Sequence, residues 1–258
     1  MSIFNIWVDF RQEANENRIF HICTEVTGSR AKIADDLRQV MRSHYNDLAQ
    51  IADDIKYLGY PDASAVLAER LPQTSRARSG DLGEILATEY IEHALGYQIP
   101  VRRLRYKDGR EMALRGDDFI GIDYNIRSGL RLLKGESKSA AKLTNDTVKK
   151  ARAALNRDAG RCTPHSLLFV ADRLMEGTAA QQVLGRVLKK EIARRSLPTG
   201  SIEHVLFTMT GNSPLTLLRN DLTVADHTRK QTTINLNIDD HQDFIAASYL
   251  NLEHLGNN

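Results

Sequence analysis

Asp118, Glu136 and Lys138 are the residues of this chain whose types and spacing best suit a reaction. They fall in a stretch, Gly116 to Lys138, that reads as a β-hairpin. Asp118 opens an apolar run, Phe119-Ile-Gly-Ile122, Arg127-Ser-Gly129 turns the chain, and Leu130-Arg-Leu-Leu-Lys134 leads into Glu136-Ser-Lys138. Alternation along a strand puts Glu136 and Lys138 on one side, and the neighbouring strand brings Asp118 to them. Two carboxylates can hold a hard cation such as Mg²⁺ or Mn²⁺ through oxygen, and an ammonium beside it can steady a water and the charge building on a phosphate. That set suits phosphodiester hydrolysis. Asp117 is an additional candidate acid, since strand phase alone leaves it and Asp118 open. A second acid-x-lysine triplet, Asp54-Ile-Lys56, lies in helically spaced sequence, where residues two apart do not face each other. By itself the hairpin triplet also describes a solvated ion pair on a sheet rim, so its neighbours decide.

Those neighbours can position a site. Upstream, Leu82, Ile85, Leu86, Ile91 and Leu95 recur at helical spacing over Ser79–Leu95, closed by Gly96, with Glu84 in the first turn. Between helix and hairpin, Tyr97–Tyr106 and Glu111–Arg115 read as strands around a Lys107-Asp-Gly-Arg110 turn. Downstream, Thr144 or Asn145 caps a basic helix to about Asn156, Ser166–Ala171 is short and apolar enough for a buried strand, Thr178 caps another helix, and Val205–Met209 is a last core strand. The ends of the chain also carry pattern. Ile3–Phe10 and Ile19–Val26 read as strands, and a helical run from Ile33 to Leu58 is one helix or two broken near Ser43–Asn46. A short helix covers Asp62–Leu71, and Pro72–Ser79 is a polar linker. Residues 210–228 are weakly patterned, Thr232–Ile238 alternates like an edge strand, and Asp240–His254 closes the chain as a helix.

This order, with its acids, resembles the PD-(D/E)XK nuclease superfamily. The resemblance implies a restriction-endonuclease-like αβββαβ core with a central mixed sheet flanked by helices. It also implies a catalytic set of Glu84, Asp118, Glu136 and Lys138, the three acids holding Mg²⁺ or Mn²⁺. Asp118 stands at the superfamily's strand Asp, Glu136 and Lys138 at its E-x-K pair, and Glu84 at its helix acid; the usual Pro before the Asp is missing. More narrowly, Ser79-Gly-Asp-Leu-Gly-Glu84, Arg115-Gly-Asp-Asp-Phe119 and Lys134-Gly-Glu-Ser-Lys-Ser139 are similar to the HamA family, small subunits of Hachiman antiphage defence systems. This likeness covers nearly the whole chain. It implies a DNA endonuclease effector of little sequence specificity, controlled by a superfamily 2 helicase partner, HamB.

Composition bounds these expectations. The chain has 258 residues, 41% of them hydrophobic, enough for a large globular unit. Residues 1–75 read as an α/β extension for partner docking or scaffolding, 76–215 as the nuclease core, and 216–258 as a strand and helix packed on it. No apolar run approaches a membrane span and no signal peptide is evident, so the expected location is the cytoplasm. There is no P-loop or Gly-rich dinucleotide motif, so nucleotide hydrolysis falls to a partner. Cys23 and Cys162 suit reduced packing positions. Net charge is only +2, but residues 102–161 carry 16 Lys and Arg against 8 Asp and Glu, whereas residues 1–93 carry 10 against 15. The basic stretch surrounds the proposed site, where a phosphate backbone lies in a nuclease. Arg102, Arg103 and Arg105, with Lys142, Lys149, Lys150 and Arg152, are the candidate nucleic-acid contacts, and they neutralise phosphates without reading bases. The alternative is a catalytically inactive nuclease-fold subunit that binds DNA or regulates a partner.

Overall fold

The computed structural model describes residues 2–256. Its centre is a six-stranded mixed sheet in the order β1-β2-β6-β5-β4-β3, with β1 Val8–Asn15, β2 Arg18–Glu25, β3 Phe119–Asn125, β4 Gly129–Ala140, β5 Ile202–Thr210 and β6 Gln231–Asn237. The two outer pairs, β1/β2 and β3/β4, are antiparallel hairpins, while β4, β5, β6 and β2 run parallel. Parallel neighbours need crossover connections, and here helices supply them.

On one face lie α1 Phe4–Trp7, α2 Arg30–Tyr45, α5 Ser75–Ala94 and α10 His241–Tyr249, with α3 Leu48–Leu58 and α4 Tyr60–Ala68 outside them. Their apolar stripes meet Phe119, Leu133, Val205, Phe207, Ile234 and Leu236. The other face is split. α7 Pro164–Met175 and α8 Ala179–Arg194 pack on Ile120, Ile122 and Leu132, whereas α6 Asn145–Asn156 and α9 Leu215–Val224 pack on Phe20, Ile22 and Leu206. The layers are therefore helix, sheet, helix, with both faces of β4 covered.

Several expectations change. Residues 166–171 form the middle of α7, not a strand: Pro164 stands at the start and the Thr163 hydroxyl caps Ser166 N–H. The Tyr97–Arg115 hairpin is absent. That segment contributes one bridge, Gln98 with Ile122, and a 3₁₀ turn over Arg103–Tyr106. α5 begins at Ser75, capped by Thr74, so it absorbs the end of the presumed linker and places Glu84 in its third turn. The long helical run breaks at Asn46, where the Asp47 side chain caps α3. Residues 215–224 are helical, and Ile3–Trp7 is largely α1, not strand. β6 lies inside the sheet, not at an edge, and joins the amino-terminal hairpin to β5.

Two glycines let the hairpin close around the site. A Cβ at Gly135 would stand 1.6 Å from the Phe119 ring, so the ring packs straight onto β4 backbone. Gly116 has φ of 101° and touches Ser166, a turn that aims Asp117 and Asp118. Gly135→Ala should therefore destabilise the protein by about 2–3 kcal/mol in urea unfolding, the cost of overpacking a closed core; an unchanged midpoint would show that Phe119 repacks freely.

Candidate active site

β3 pairs with β4 from Phe119, opposite Gly135. One residue earlier the Asp118 side chain takes over the ladder. Its backbone N–H donates to the Gly135 carbonyl at 3.2 Å, and its Oδ2 accepts the Ser137 N–H at 2.8 Å. Asp118 is thus fixed beside the next residues of β4. Lys138 Nζ donates to Glu136 Oε1 at 2.6 Å and to the Ser137 carbonyl at 3.0 Å, and lies 3.9 Å from Asp118 Oδ2. The period of two along β4 and the register with β3 produce this group.

Glu84 arrives from α5, whose Leu82, Ile85 and Leu86 are fully buried against the sheet and fix its rotation. Glu84, Asp118 and Lys138 share the wall of a cavity of about 860 Å³ with Asp81 and Lys107. Glu136, only 7% exposed, is not on that wall and meets it through the Lys138 ammonium.

The acids are costly to ionise here. Burial, then the neighbouring Asp118 carboxylate, holds Glu84 well above the usual carboxylate range, against the pull of Arg103. Burial also raises Asp118, although Lys138, the Ser137 N–H and Arg103 oppose it. Burial and Asp118 push Glu136 up to about 7 despite the Lys138 contact. For Lys138, burial works against the charge, but Asp118 and Glu136 outweigh it and its pKa rises. The group is a knot of desolvated like charges held by one ammonium.

Asp117 points elsewhere. Its Oδ2 accepts the Thr163 N–H at 2.7 Å, and its Oδ1 lies 3.6 Å from Lys134 Nζ, both side chains 1% exposed. This buried pair ties the hairpin to the start of α7.

Of the candidate nucleic-acid contacts, four are occupied inside the fold. Arg102 bonds Glu92 at 2.6 Å and lies 3.1 Å from Glu89. Arg103 donates to the carbonyls of Arg115, Asp117 and Asp118, and Arg105 to the Ser43 carbonyl and Asp47. Arg152, expected on an outward basic face, is buried and bonds Asp221 and Gln231. Lys142, Lys149 and Lys150 are exposed, the last in a solvent-exposed pair with Asp146 at 2.7 Å.

Asp81 and Lys107 were not among the candidates. Lys107 Nζ bonds both oxygens of Asp81, at 3.0 and 2.9 Å, and Asp81 also accepts the Tyr45 hydroxyl at 2.9 Å. Asp81 lies one helical turn before Glu84, a spacing that shares a face, so the signal was present; Lys107 sat in a supposed hairpin turn and gave none. A second cavity, about 350 Å³, flanks the other side of the 107–118 loop. Arg103, Arg115, His165 and Ser166 line it with Asp108, and it gathers no pair of acids.

The raised pKa of Glu136 has a consequence for stability. Its folded value, about 7, exceeds the ordinary 4.5. The stability it contributes is complete below about pH 4.5 and is lost as pH rises through 7. Glu136→Gln cannot ionise. Its unfolding free energy should match wild type near pH 4.5 and exceed it at pH 8, by about 3 kcal/mol at most. A constant difference between the two proteins across this range would refute the assignment.

A profile of the HamA family matches residues 1–252. A Bacillus cereus protein, "Hachiman protein HamA", is 27% identical over 178 residues, which span 69% of this chain and 62% of that protein. The aligned part thus covers less than two thirds of the relative. With the profile running over almost every residue, the chain belongs to the HamA family.

Proposed function

We propose that this chain is a metal-dependent DNA endonuclease of low sequence specificity, an antiphage effector restrained by a helicase partner. The observation that carries the proposal is the meeting of Glu84, Asp118 and Lys138 on the wall of one cavity, from α5, the edge of β3 and β4, with Glu136 bonded to the Lys138 ammonium behind it. The family and the name of the Bacillus relative support the Hachiman setting.

The donor set fits a hard divalent cation in its chemistry. Carboxylates whose pKa is raised by burial and by a neighbouring acid, as Glu84 and Glu136 are by Asp118, are those a cation relieves. Among the described residues no three acid, His or Cys side chains are drawn together as a ready ligand group. Lys138 is bonded to Glu136 and would have to release it for that carboxylate to serve as a ligand. Glu84, Asp118 and Glu136 would hold the ion, which when bound supplies Lewis acidity and an activated water. The protein's own part is electrostatic. Lys138, anchored to the Ser137 carbonyl, faces the cavity where negative charge builds on the phosphate. The Asp118 carboxylate cannot swing away, because the Ser137 N–H holds it.

Exposed Arg76 lines the same cavity, and Lys142 and Lys149 are exposed beyond it. These side chains, with Lys150, suit a phosphate backbone. Nothing among them reads bases. A nuclease without sequence preference endangers its own cell, which is the physical reason to expect restraint by a partner.

The alternative, a subunit that binds DNA without cutting it, draws on the Lys138–Glu136 contact in place of an ion. Supercoiled plasmid in Mg²⁺ or Mn²⁺, with and without the helicase subunit, separates the two. Cleavage should vanish with EDTA and fall at least ~10³-fold in Glu136→Ala and Lys138→Ala, on the scale of losing a central electrostatic group. Well-folded mutants that still cut fully would sink the assignment, and an intact plasmid even with the helicase would favour the non-catalytic alternative. Replacing Lys142, Lys149 and Lys150 with Glu should weaken duplex binding alike for all sequences and flatten its salt dependence by roughly one unit per lost phosphate contact; an unaltered slope in a fluorescence anisotropy titration would remove them from the interface.

A further inference from the structure

Glu84 and Asp118 stand on different elements, separated by a 24-residue loop from α5 to β3, yet their separation sets the geometry of the site. We infer that the 3₁₀ turn Arg103–Tyr106 and its flanks form a spacer between them, with Arg103 as the positioning residue for Asp118. This inference rests on the proposed nuclease reaction.

The spacer is fastened to α5 at two points. Before the turn, Arg102 bonds Glu92 and lies 3.1 Å from Glu89, both on the helix that carries Glu84. After it, Lys107 bonds Asp81, three residues before Glu84, with its side chain only 5% exposed. Within the turn Leu104 is buried in the main core, and Arg105 donates to the Ser43 carbonyl at the end of α2 at 2.9 and 2.7 Å. A segment so fixed cannot shift relative to Glu84 without breaking several bonds.

Arg103 projects from this platform to the backbone of the opposite acid. One guanidinium nitrogen donates to the carbonyls of Asp117 and Asp118, the latter at 2.9 Å, and the other terminal nitrogen to the carbonyl of Arg115 at 2.8 Å. Three carbonyls around Gly116 are thus gathered by one planar fork. Only arginine presents donors in this arrangement; a lysine keeps the charge but reaches them as a single point. With its terminal nitrogens turned to carbonyls, Arg103 acts on the chain and not on a phosphate.

Arg103→Lys separates positioning from phosphate binding, because it keeps the charge. In the full chain, with the helicase subunit if cleavage requires it, kcat on plasmid should fall about 30–100-fold, as for a displacement of the order of 1 Å. Affinity for a fluorescent duplex in EDTA should stay within about twofold, and the melting temperature should stay close to wild type. The amides of Asp117 and Asp118, bonded to Ser166 Oγ and the Gly135 carbonyl, should exchange hydrogen at least ~10-fold faster, as a locally opened segment does. A mutant with weakened DNA affinity and intact kcat would overturn the inference in favour of a phosphate contact. Should the wild type cut nothing, the nuclease reading fails by itself, and the exchange rates decide the clamp: unchanged protection in Arg103→Lys would overturn it.

Discussion

Asp118 stands close enough to Glu84 to raise the Glu84 pKa, and holding these two half-buried acids together is the constraint the rest of the structure answers. Two like charges out of water repel, and either could relieve the strain by moving toward solvent. Neither element can move. α5 is seated by Leu82, Ile85 and Leu86, all fully buried, and β3 is closed onto β4 by the Phe119 ring lying on Gly135. Cations then offset what packing imposes: Lys138 for Asp118 and Glu136, and Arg103 for both Glu84 and Asp118. A flexible scaffold with the same residues would separate them.

Two further ion pairs lie on either side of this knot. Asp81–Lys107 joins α5 to the loop before β3, and Asp117–Lys134 joins that loop and β4 to the Thr163 cap of α7. Buried pairs contribute little net stability, since desolvation consumes most of the attraction, but breaking one costs several kcal/mol. Their effect here is geometric. Each joins a point in the Gly116–Asp118 approach, or its lead-in, to a regular element. Asp117 and Asp118, adjacent in sequence, therefore do different work: one anchors, the other faces the cavity.

The parts legible in the sequence were those with strong local pattern. Glu136-Ser-Lys138 on a strand, Asp118 across from it and the amphipathic α5 all follow from periods of 2 and 3.6, and the structure has these elements. Short or internally satisfied features were less legible. Ser166–Ala171 is apolar in either conformation, and only Pro164 and the Thr163 cap one turn earlier distinguish helix from strand. β6 alternates Thr, Ile, Asn and Leu as an edge strand would, yet its polar side chains are buried and partly bonded across to β5, as Thr208 and Thr210 are to Asn235. Arg102, Arg103, Arg105 and Arg152 drew attention as a basic run. Sequence shows a charge but not its partner, and the partners lie far away in the chain, such as Ser43 for Arg105 and Asp221 for Arg152.

That distinction changes what the charge bias means. Most of the positive charge near the site is turned to backbone carbonyls and acids within the fold, so the long-range field that draws a polyanion comes from fewer groups, chiefly the exposed lysines around α6. The same economy governs the site itself. Lys138 lies against both Asp118 and Glu136, bonded to Glu136 at 2.6 Å, and offsets part of what desolvation and repulsion cost these acids. Under the proposed chemistry Glu84, Asp118 and Glu136 would hold a divalent ion, and Lys138 would then be left to face the phosphate. The ammonium is suited to this because its four-carbon stem reaches either partner without moving β4, whereas a planar guanidinium at position 138 would lock onto the carboxylates.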